Sequence, residues 1–453
     1  MVKSTKLPLL LFITFFIIYS LPQIIHYLLY GQGNIIGFTT YFHIRNAELL
    51  INNQFFDPLS YGGRPLTYPL GYPVILAIFF NFKEFVNVFF GCLLVLLAYF
   101  FSLNYFKNEK KATLCAVFVG IMHISIYLSG HINPRLPSLF FFMLSLMFID
   151  KKILSGLSLG TSFLIHPAVG AVGSFISFVL YKKKSLIPIV LGLTIFSLWF
   201  IPTILQYGFP KASNVYSQFT ELQRGPQYYI FETFSNQDSI QFGILLIGFI
   251  AWFRTKDTFL KKWLFIAILI PLLLGNRFNE QIIVPLALLV SENLQGNLKF
   301  LAKKFNVNYV FFKSLFIFYC FVTVLLGIGA VALISPNVSQ FKAFKFLKEN
   351  TPENSTILAS MWYGHWIAGI ANRKNVMDAY LEYAPNPDER FKDIQKVFSG
   401  SEKEVLQILD KYSANYIYYD GGEESPSNLL DLVEKGKLRL IYQDEKIWIF
   451  EKV

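Results

Sequence analysis

The sequence predicts a polytopic α-helical membrane protein with about eleven spans and a C-terminal α/β domain outside the membrane. Hydrophobic residues make up 54% of the 453 positions, charged residues make up 15%, and the mean hydropathy is +0.46. Soluble domains carry about 25% charged residues, so this composition is typical of a membrane protein. Long apolar segments also recur along the chain, and clusters of lysine or arginine lie beside them.

The basic clusters predict the orientation, because positive residues near the ends of spans favour the cytoplasmic side. Lys3 and Lys6 place the N-terminus inside, and the C-terminal domain then lies outside. Lysines bracket residues 153–181, so we expect two short helices that turn at His166-Pro167. The predicted spans are 7–29, 86–106, 112–130, 136–149, the two halves of 153–181, 186–207, 240–253, 259–274, 281–290 and 309–334.

A change of composition near residue 335 divides the chain into a membrane region, 1–335, and a soluble domain, 336–453. The membrane region has two long polar intervals, the outer loops 30–85 and 208–239. In the soluble domain, strand patterns alternate with helical patterns, which predicts a small mixed sheet covered by helices. The predicted strands are 356–360, 375–378, 415–420, 438–443 and 446–451, and the predicted helices are 387–398, 402–412 and 427–435.

The net charge of +11 does not indicate a nucleic-acid partner, because the basic clusters adjoin apolar segments instead of forming a separate basic face. The expected partner is the lipid bilayer. Cys92, Cys115 and Cys320 fall inside predicted spans and form no CxxC pair, so no disulfide framework is expected.

The first outer loop gathers most of the reactive side chains in a short stretch. Thr40 is the expected N-cap of a helix over 41–52, and an apolar helix at 73–82 is too short to cross the membrane. Polar, charged and tyrosine side chains are concentrated between residues 33 and 73: His43, Arg45, Glu48, Asp57 and Arg64, with Tyr41, Tyr61, Tyr68 and Tyr72.

This loop resembles that of membrane glycosyltransferases of the GT-C class, in particular the archaeal oligosaccharyltransferase catalytic subunit. The residues that carry the resemblance are 40–45 (TYFHIR) with Glu48, then Asp57-Pro58, and 68–73 (YPLGYP). Residues 156–167 and 276–278 are similar to further landmarks of the family, and 360–367 (SMWYGHWI) is similar to its WWDYG region. The resemblance implies sugar transfer from a polyprenyl-phosphate carrier at the outer face of a prokaryotic cell membrane, with the C-terminal domain on that side.

The sequence departs from the family at three acidic positions. Thr39 stands where the family has a metal-binding Asp, and residues 131–135 (HINPR) contain no carboxylate where the family has a second acidic motif. Trp362 stands where the family has an Asp that contacts the acceptor. The resemblance therefore implies the scaffold but not protein N-glycosylation. It leaves a divalent metal as an open alternative and implies no other cofactor.

Sugar transfer needs a base or a metal for the acceptor and cations for the phosphate of the donor. Asp57 is the first candidate for the base and Glu48 the second. The structural alternatives are a turn-starting Asp at 57 and a Glu48–Arg45 ion pair along one helix. The candidates for binding the phosphate are Arg45, Arg64, Arg135 and Arg277, with His43 and His131 as assisting residues. Interfacial snorkelling is the alternative for the arginines.

Four further residues are candidates for contacting the acceptor or substrate: Glu221, Glu232, Trp362 and His365. Ordinary loop charge is the alternative for the two glutamates, and packing of the soluble domain is the alternative for the other two.

Two functions follow from these observations. The first is a membrane glycosyltransferase that passes a sugar from a polyprenyl-phosphate carrier to an acceptor, whose identity stays open, on the outer face. The alternative is a catalytically silent GT-C-like protein that binds a lipid-linked glycan or partners a glycosylation complex. A transporter is disfavoured, because no acidic residue lies deep in a predicted span.

Overall fold

The computed structural model describes residues 6–31, 35–37, 39–210, 215, 242–274, 276–334, 336–421, 426–444 and 446–453. Most of the membrane region is helical, in agreement with its apolar composition. Its helices are Lys6–Tyr30, Thr40–Ile51, Gly71–Ile78, Val86–Phe106, Glu109–Ile121, His123–Ser129, Arg135–Met147, Lys152–Ile165, Pro167–Tyr181, Leu186–Tyr207, Phe242–Arg254, Thr258–Leu274, Ile283–Glu292, Leu294–Lys304 and Tyr309–Ala332.

Within the part of the chain that the structure describes, four helical runs are long and apolar enough to cross a membrane, or five if a bent pair counts as one span. The four are Lys6–Tyr30, Phe80–Phe106, Pro167–Tyr207 and Tyr309–Ala332, and the bent pair is Glu109–Ile121 with His123–Ser129. The predicted turn at His166 is confirmed as a helix boundary, because the backbone there is extended between Lys152–Ile165 and Pro167–Tyr181. The predicted class of an apolar helical protein with a C-terminal sheet is therefore confirmed.

Close contacts between small residues hold the membrane helices together, as in other membrane bundles. A Cβ atom added at Gly91 would lie 2.2 Å from the Ser129 hydroxyl and 2.8 Å from the Tyr19 ring. The Tyr19 hydroxyl donates a hydrogen bond of 3.0 Å to the backbone carbonyl of Gly120. The first helix therefore lies directly against two of its neighbours, with no room for larger side chains.

The soluble domain contains a mixed sheet of five strands: β3 (Thr356–Leu358), β4 (Lys374–Asn375), β5 (Tyr416–Asp420), β6 (Leu438–Asp444) and β7 (Ile447–Lys452). The strands lie in the order β4-β3-β5-β7-β6, with β3 parallel to β4 and β5, and β7 antiparallel to β5 and β6. The longer helices of the domain are Val338–Asn350, Pro387–Ser399, Glu402–Lys411 and Ser427–Glu434. The predicted mixed sheet with covering helices is confirmed, although β4 ends before Asp378.

The first outer loop is bound directly to this sheet. A short hairpin of β1 (Phe56–Asp57) and β2 (Arg64–Pro65) projects the turn that contains Tyr61. The backbone N–H of Tyr61 donates to the Asn375 side chain at 2.9 Å, and its hydroxyl donates to the Asp378 carbonyl at 2.6 Å. Tyr61 has φ of 56°, a strained value for a bulky residue. These hydrogen bonds therefore offset the cost of the left-handed backbone conformation in the turn.

We expect Gly91→Ala to lower the free energy of unfolding by about 1–3 kcal/mol, because the added methyl group overlaps atoms of two other helices. Thermal unfolding of the purified protein in detergent measures this loss. The matched control is Gly329→Ala, because a Cβ atom there meets nothing within 4 Å. Equal melting temperatures for the two variants would show that the close approach at Gly91 does not limit stability.

Candidate functional site

The helix Thr40–Ile51 carries several of the predicted site residues. Its apolar face, with Tyr41 and Ala47, is buried in the membrane-region core. The predicted capping role of Thr40 is wrong: Thr39 is the N-cap, without a side-chain bond, and the Thr40 hydroxyl instead donates to the carbonyl of Ile36 at 2.6 Å. The same hydroxyl lies 3.3 Å from the carbonyl of Ile132, so it ties the helix to the loop before Arg135–Met147.

Asp57, Arg45 and Glu48 lie together at the end of this helix. One Asp57 carboxylate oxygen accepts from Arg45 Nη2 at 3.3 Å and from the backbone N–H of Leu59 at 3.0 Å. Arg45 Nη1 lies 3.9 Å from Glu48, whose side chain is 42% exposed. Partial burial raises the pKa of Glu48, and Arg45 opposes this shift. The Asp57 carboxylate is thus already bound by the Arg45 guanidinium and by a backbone N–H of the turn that follows it.

Arg64 and Asp378 form a buried ion pair, with Arg64 Nη2 3.3 Å from the carboxylate. Arg64 also donates to the carbonyl of Tyr380 at 2.6 Å, and its guanidinium lies 4.8 Å from the centre of that ring. Ser60 and the backbone N–H of Tyr380 donate further hydrogen bonds to Asp378. Burial raises the pKa of Asp378, but Arg64 and these other groups outweigh burial and hold the pKa below its ordinary value.

His43 lies in an aromatic enclosure formed by the first loop and the soluble domain. Its ring centre is 5.1 Å from that of Phe42, 5.0 Å from Tyr68 and 5.1 Å from Tyr72. Burial lowers the pKa of His43 well below its ordinary value, and His365 lowers it further. The imidazole is therefore neutral at pH 7, and it would contact a phosphate as a hydrogen-bond donor without a positive charge.

His365 of the soluble domain lies against this enclosure, with its ring centre 5.1 Å from that of Phe42. His365 is buried, with Nδ1 3.7 Å from the Asp378 carboxylate. Burial lowers the pKa of His365 to about 4, so at neutral pH the contact with Asp378 is not an ion pair. Trp362 is 40% exposed, which leaves one face of its side chain accessible.

Glu280, which the sequence analysis missed, is buried and pairs with Arg135 at the start of Arg135–Met147. Arg135 Nη1 is 3.6 Å from the carboxylate of Glu280, whose side chain is fully buried. Neither Glu280 oxygen accepts a well-formed hydrogen bond from the described residues. Burial raises the pKa of Glu280, and Arg135 opposes this shift. One feature of the sequence could have drawn attention to Glu280: it is the sole acidic residue between Asp257 and Glu292.

Polar groups without partners surround this carboxylate on the short helix Asn276–Ile282. The Asn279 side-chain oxygen and both polar atoms of the Gln281 side chain have no hydrogen-bond partner among the described residues. Buried polar groups in proteins are nearly always paired, so such a group of unpaired atoms needs an explanation. A bound polar ligand would supply one.

Three predicted site residues lie wholly or partly outside the described residues. Glu221 and Glu232 belong to the interval 216–241. Arg277 lies in the Asn276–Ile282 helix, three positions before Glu280, but only its backbone is described.

The described side chains do not fit a resident metal. They contain no group of three or more His, Cys, Asp or Glu that could hold an ion. Thr39 supplies no carboxylate at the position where the sequence resemblance expected a metal-binding Asp. No chemical step is therefore assigned to a metal.

No family model and no curated protein sequence matches the chain. Solved structures do match it. ArnT from Cupriavidus metallidurans bound to undecaprenyl phosphate has a TM-score of 0.64 at 11% identity, over 100% of this chain and 99% of that one. The Archaeoglobus fulgidus oligosaccharyltransferase AglB, with an inhibitory peptide and a dolichol-phosphate, has a TM-score of 0.60 at 13% identity, over 91% of this chain and 69% of that one.

A further structure of the Archaeoglobus fulgidus oligosaccharyltransferase, in complex with Zn and sulfate, has a TM-score of 0.63 at 15% identity, over 90% of this chain and 67% of that one. These neighbours are membrane glycosyltransferases of the GT-C class. The chain therefore has a GT-C-like fold, and the resemblance predicted from the first loop is confirmed at the level of the fold.

We expect Asp378→Asn to cost about 3–5 kcal/mol of stability, because it leaves the Arg64 guanidinium buried without a counter-charge. Since the folded pKa of Asp378 is depressed, its stabilising contribution is present above the ordinary value of 3.8 and is lost as pH falls through the folded pKa. Thermal unfolding of wild type and variant as a function of pH measures both effects. The difference in stability between wild type and variant should shrink at low pH.

The matched control is Arg439→Gln, which breaks the exposed Arg439–Glu451 pair in the same domain. An exposed pair contributes about 0–1 kcal/mol, so this variant should unfold close to wild type. Equal losses from Asp378→Asn and Arg439→Gln would contradict a special role for the buried pair.

Proposed function

We propose that this chain is a membrane glycosyltransferase that moves a sugar from a polyprenyl-phosphate carrier to an acceptor on the outer face of the membrane. The observation that carries the proposal is the pairing of the buried Glu280 with the partly exposed Arg135, in a short helix whose Asn279 and Gln281 also have polar atoms without partners among the described residues. Ionisable residues buried in a membrane protein are costly and usually functional. The GT-C-like fold and the carrier lipids bound by its structural neighbours support the choice of substrate.

Glu280 is the proposed general base for the acceptor. A carboxyl whose pKa is raised by burial is a better proton acceptor than an ordinary Glu, and it still ionises near neutral pH when a cation is close. Arg135 is that cation, at 3.6 Å. The pair would take a proton from an acceptor hydroxyl or amine as the bond to the anomeric carbon of the sugar forms and the bond to the carrier phosphate breaks.

Arg135 and Arg45 are the proposed contacts for the phosphate of the carrier. Their side chains are 20% and 17% exposed, so each can bind a ligand while held by a carboxylate. Arginine suits this role because its guanidinium binds two phosphate oxygens at once. Arg277 and His43 stay candidates for the same phosphate, the former because its helix also carries Glu280.

Asp57 and Glu48 take a supporting role in this proposal, since Asp57 and Arg45 are bound to each other at 3.3 Å. They would hold the Arg45 guanidinium in position for the phosphate. Arg64 is left out of the phosphate site, because it is 4% exposed and paired with Asp378. Trp362, His365 and the loop with Glu221 and Glu232 would contact the acceptor.

We expect Glu280→Gln to lower kcat at least 100-fold, because a general base typically contributes about 10²–10⁴-fold to the rate. Asp57→Asn should raise KM for the carrier lipid more than it lowers kcat. The measurement is single-sugar transfer by the full-length protein in lipid, with polyprenyl-phosphate sugars and a panel of acceptors. Thermal unfolding of each variant checks that loss of turnover does not reflect loss of folding.

The pH dependence of kcat/KM gives a second test. The base must be ionised, and burial raises the pKa of Glu280, so the acid limb should lie above 4.5, the ordinary value for a Glu. Folded wild-type protein that binds the carrier lipid but never transfers a sugar would overturn the proposal in favour of the catalytically silent alternative.

A further inference from the structure

A cavity of about 330 Å³ lies at the opposite end of the membrane helices from the first loop. The helix Val86–Phe106 starts beside that loop and rises about 30 Å over its length. Near its end, the Tyr105 hydroxyl donates to the Asp257 carboxylate, next to Lys256 in the cavity wall. The cavity is lined by Ala251, Arg254, Thr255, Lys256, Leu289, Glu292, Asn293 and Asn297.

Asn297 is the feature that points to a ligand. Its side chain is 1% exposed, and neither its amide nitrogen nor its oxygen has a hydrogen-bond partner among the described residues. A buried amide without partners costs about 1–3 kcal/mol. Because Asn297 is part of the cavity wall, a molecule inside the cavity can satisfy it.

The charges around the cavity favour a phosphate. Arg254 and Lys256 supply two cations, and the Asn297 amide supplies an uncharged donor. The Arg254 guanidinium lies 4.6 Å from the centre of the Phe300 ring, which holds it beside the cavity. Two cations and one buried amide match the acceptor oxygens of a phosphate group, and Arg can bind two of these oxygens at once.

The helix that carries Asn297, Leu294–Lys304, is typical of one that lies along a membrane interface. Leu298 and Leu301 are buried on one side, and exposed lysines, Lys299 among them, lie on the other. Such a helix lies at the level of lipid headgroups. The cavity at its start is therefore at the depth where a phospholipid presents its phosphate.

We infer that this cavity is a second binding site, specific for the phosphate of a phospholipid headgroup in the leaflet opposite the first loop. Arg254, Lys256 and the Asn297 amide bind the phosphate oxygens. Glu292 lies in the same wall and accepts hydrogen bonds from the alcohol or amine part of the headgroup. The inference is independent of the proposed transferase activity, since none of these residues belongs to the first-loop site.

The test is binding of a short-chain phosphatidylethanolamine to the purified full-length protein in detergent, followed by native mass spectrometry. We expect Arg254→Gln and Asn297→Leu each to weaken binding about tenfold, since each removes a direct contact to the phosphate. Thermal unfolding checks Asn297→Leu for misfolding, and Arg254→Gln changes an exposed side chain that does not carry the fold.

The matched control is Lys303→Gln, which removes one positive charge from the exposed lysine face of Leu294–Lys304. Lys303 is not part of the cavity wall. Its binding should change less than twofold. Equal weakening by Lys303→Gln would show diffuse attraction to the lipid and overturn the site. Unchanged binding in the folded Arg254→Gln variant would overturn it as well.

Inorganic phosphate distinguishes a headgroup from a free ion as the source of the bound group. Lipid binding that depends on Arg254 and is not displaced by millimolar phosphate supports the phospholipid. Displacement by phosphate with the same dependence on Arg254 supports the phosphate site but assigns it to a soluble phosphate compound. Transfer activity is read in parallel, and normal activity in Arg254→Gln keeps this test separate from that of the catalytic proposal.

Discussion

The buried ion pair between Arg64 and Asp378 is the interaction on which the arrangement of the outer half depends. It joins the hairpin of the first loop to the segment that follows β4 in the soluble domain. Ser60 and the Tyr380 backbone complete the hydrogen bonds of the carboxylate, so the desolvated charges are compensated on both sides. Beside this pair, the first-loop rings of Phe42 and Tyr68 contact Tyr380 of the soluble domain, with ring centres 4.8 and 5.7 Å apart.

The buried carboxylates of Asp378 and Glu280 have opposite environments. Asp378 is bonded by a cation, a hydroxyl and a backbone N–H, and its pKa is held below the ordinary value. Glu280 has one cation at 3.6 Å and no well-formed hydrogen bond from the described residues, and its pKa is raised. A fully bonded carboxylate is suited to holding structure, whereas an incompletely bonded one has capacity left for a substrate.

The sequence predicted the fold class well, because apolar composition and strand alternation depend on local patterns. It also indicated the Arg45–Glu48 pair and the turn at Asp57, which involve residues close together in the chain. It missed Glu280 because that residue is close to Arg135 only after several helices have packed, and nothing in the local pattern reports such a contact. For the same reason it gave no sign that Arg64 pairs with Asp378, which lies far away in the chain.

The bonds of the first loop have a consequence for the order in which the protein is made. Ser60 and Asp378 are separated by 318 residues, and Tyr61 and Asn375 by 314. A ribosome therefore completes the whole membrane region before the partners of the hairpin exist. Until then, Arg64 has no buried counter-charge, and the turn at Tyr61 has no bonds to hold its strained backbone. The contacts between the first loop and the soluble domain therefore form only after the soluble domain has been synthesised and has folded onto the loop.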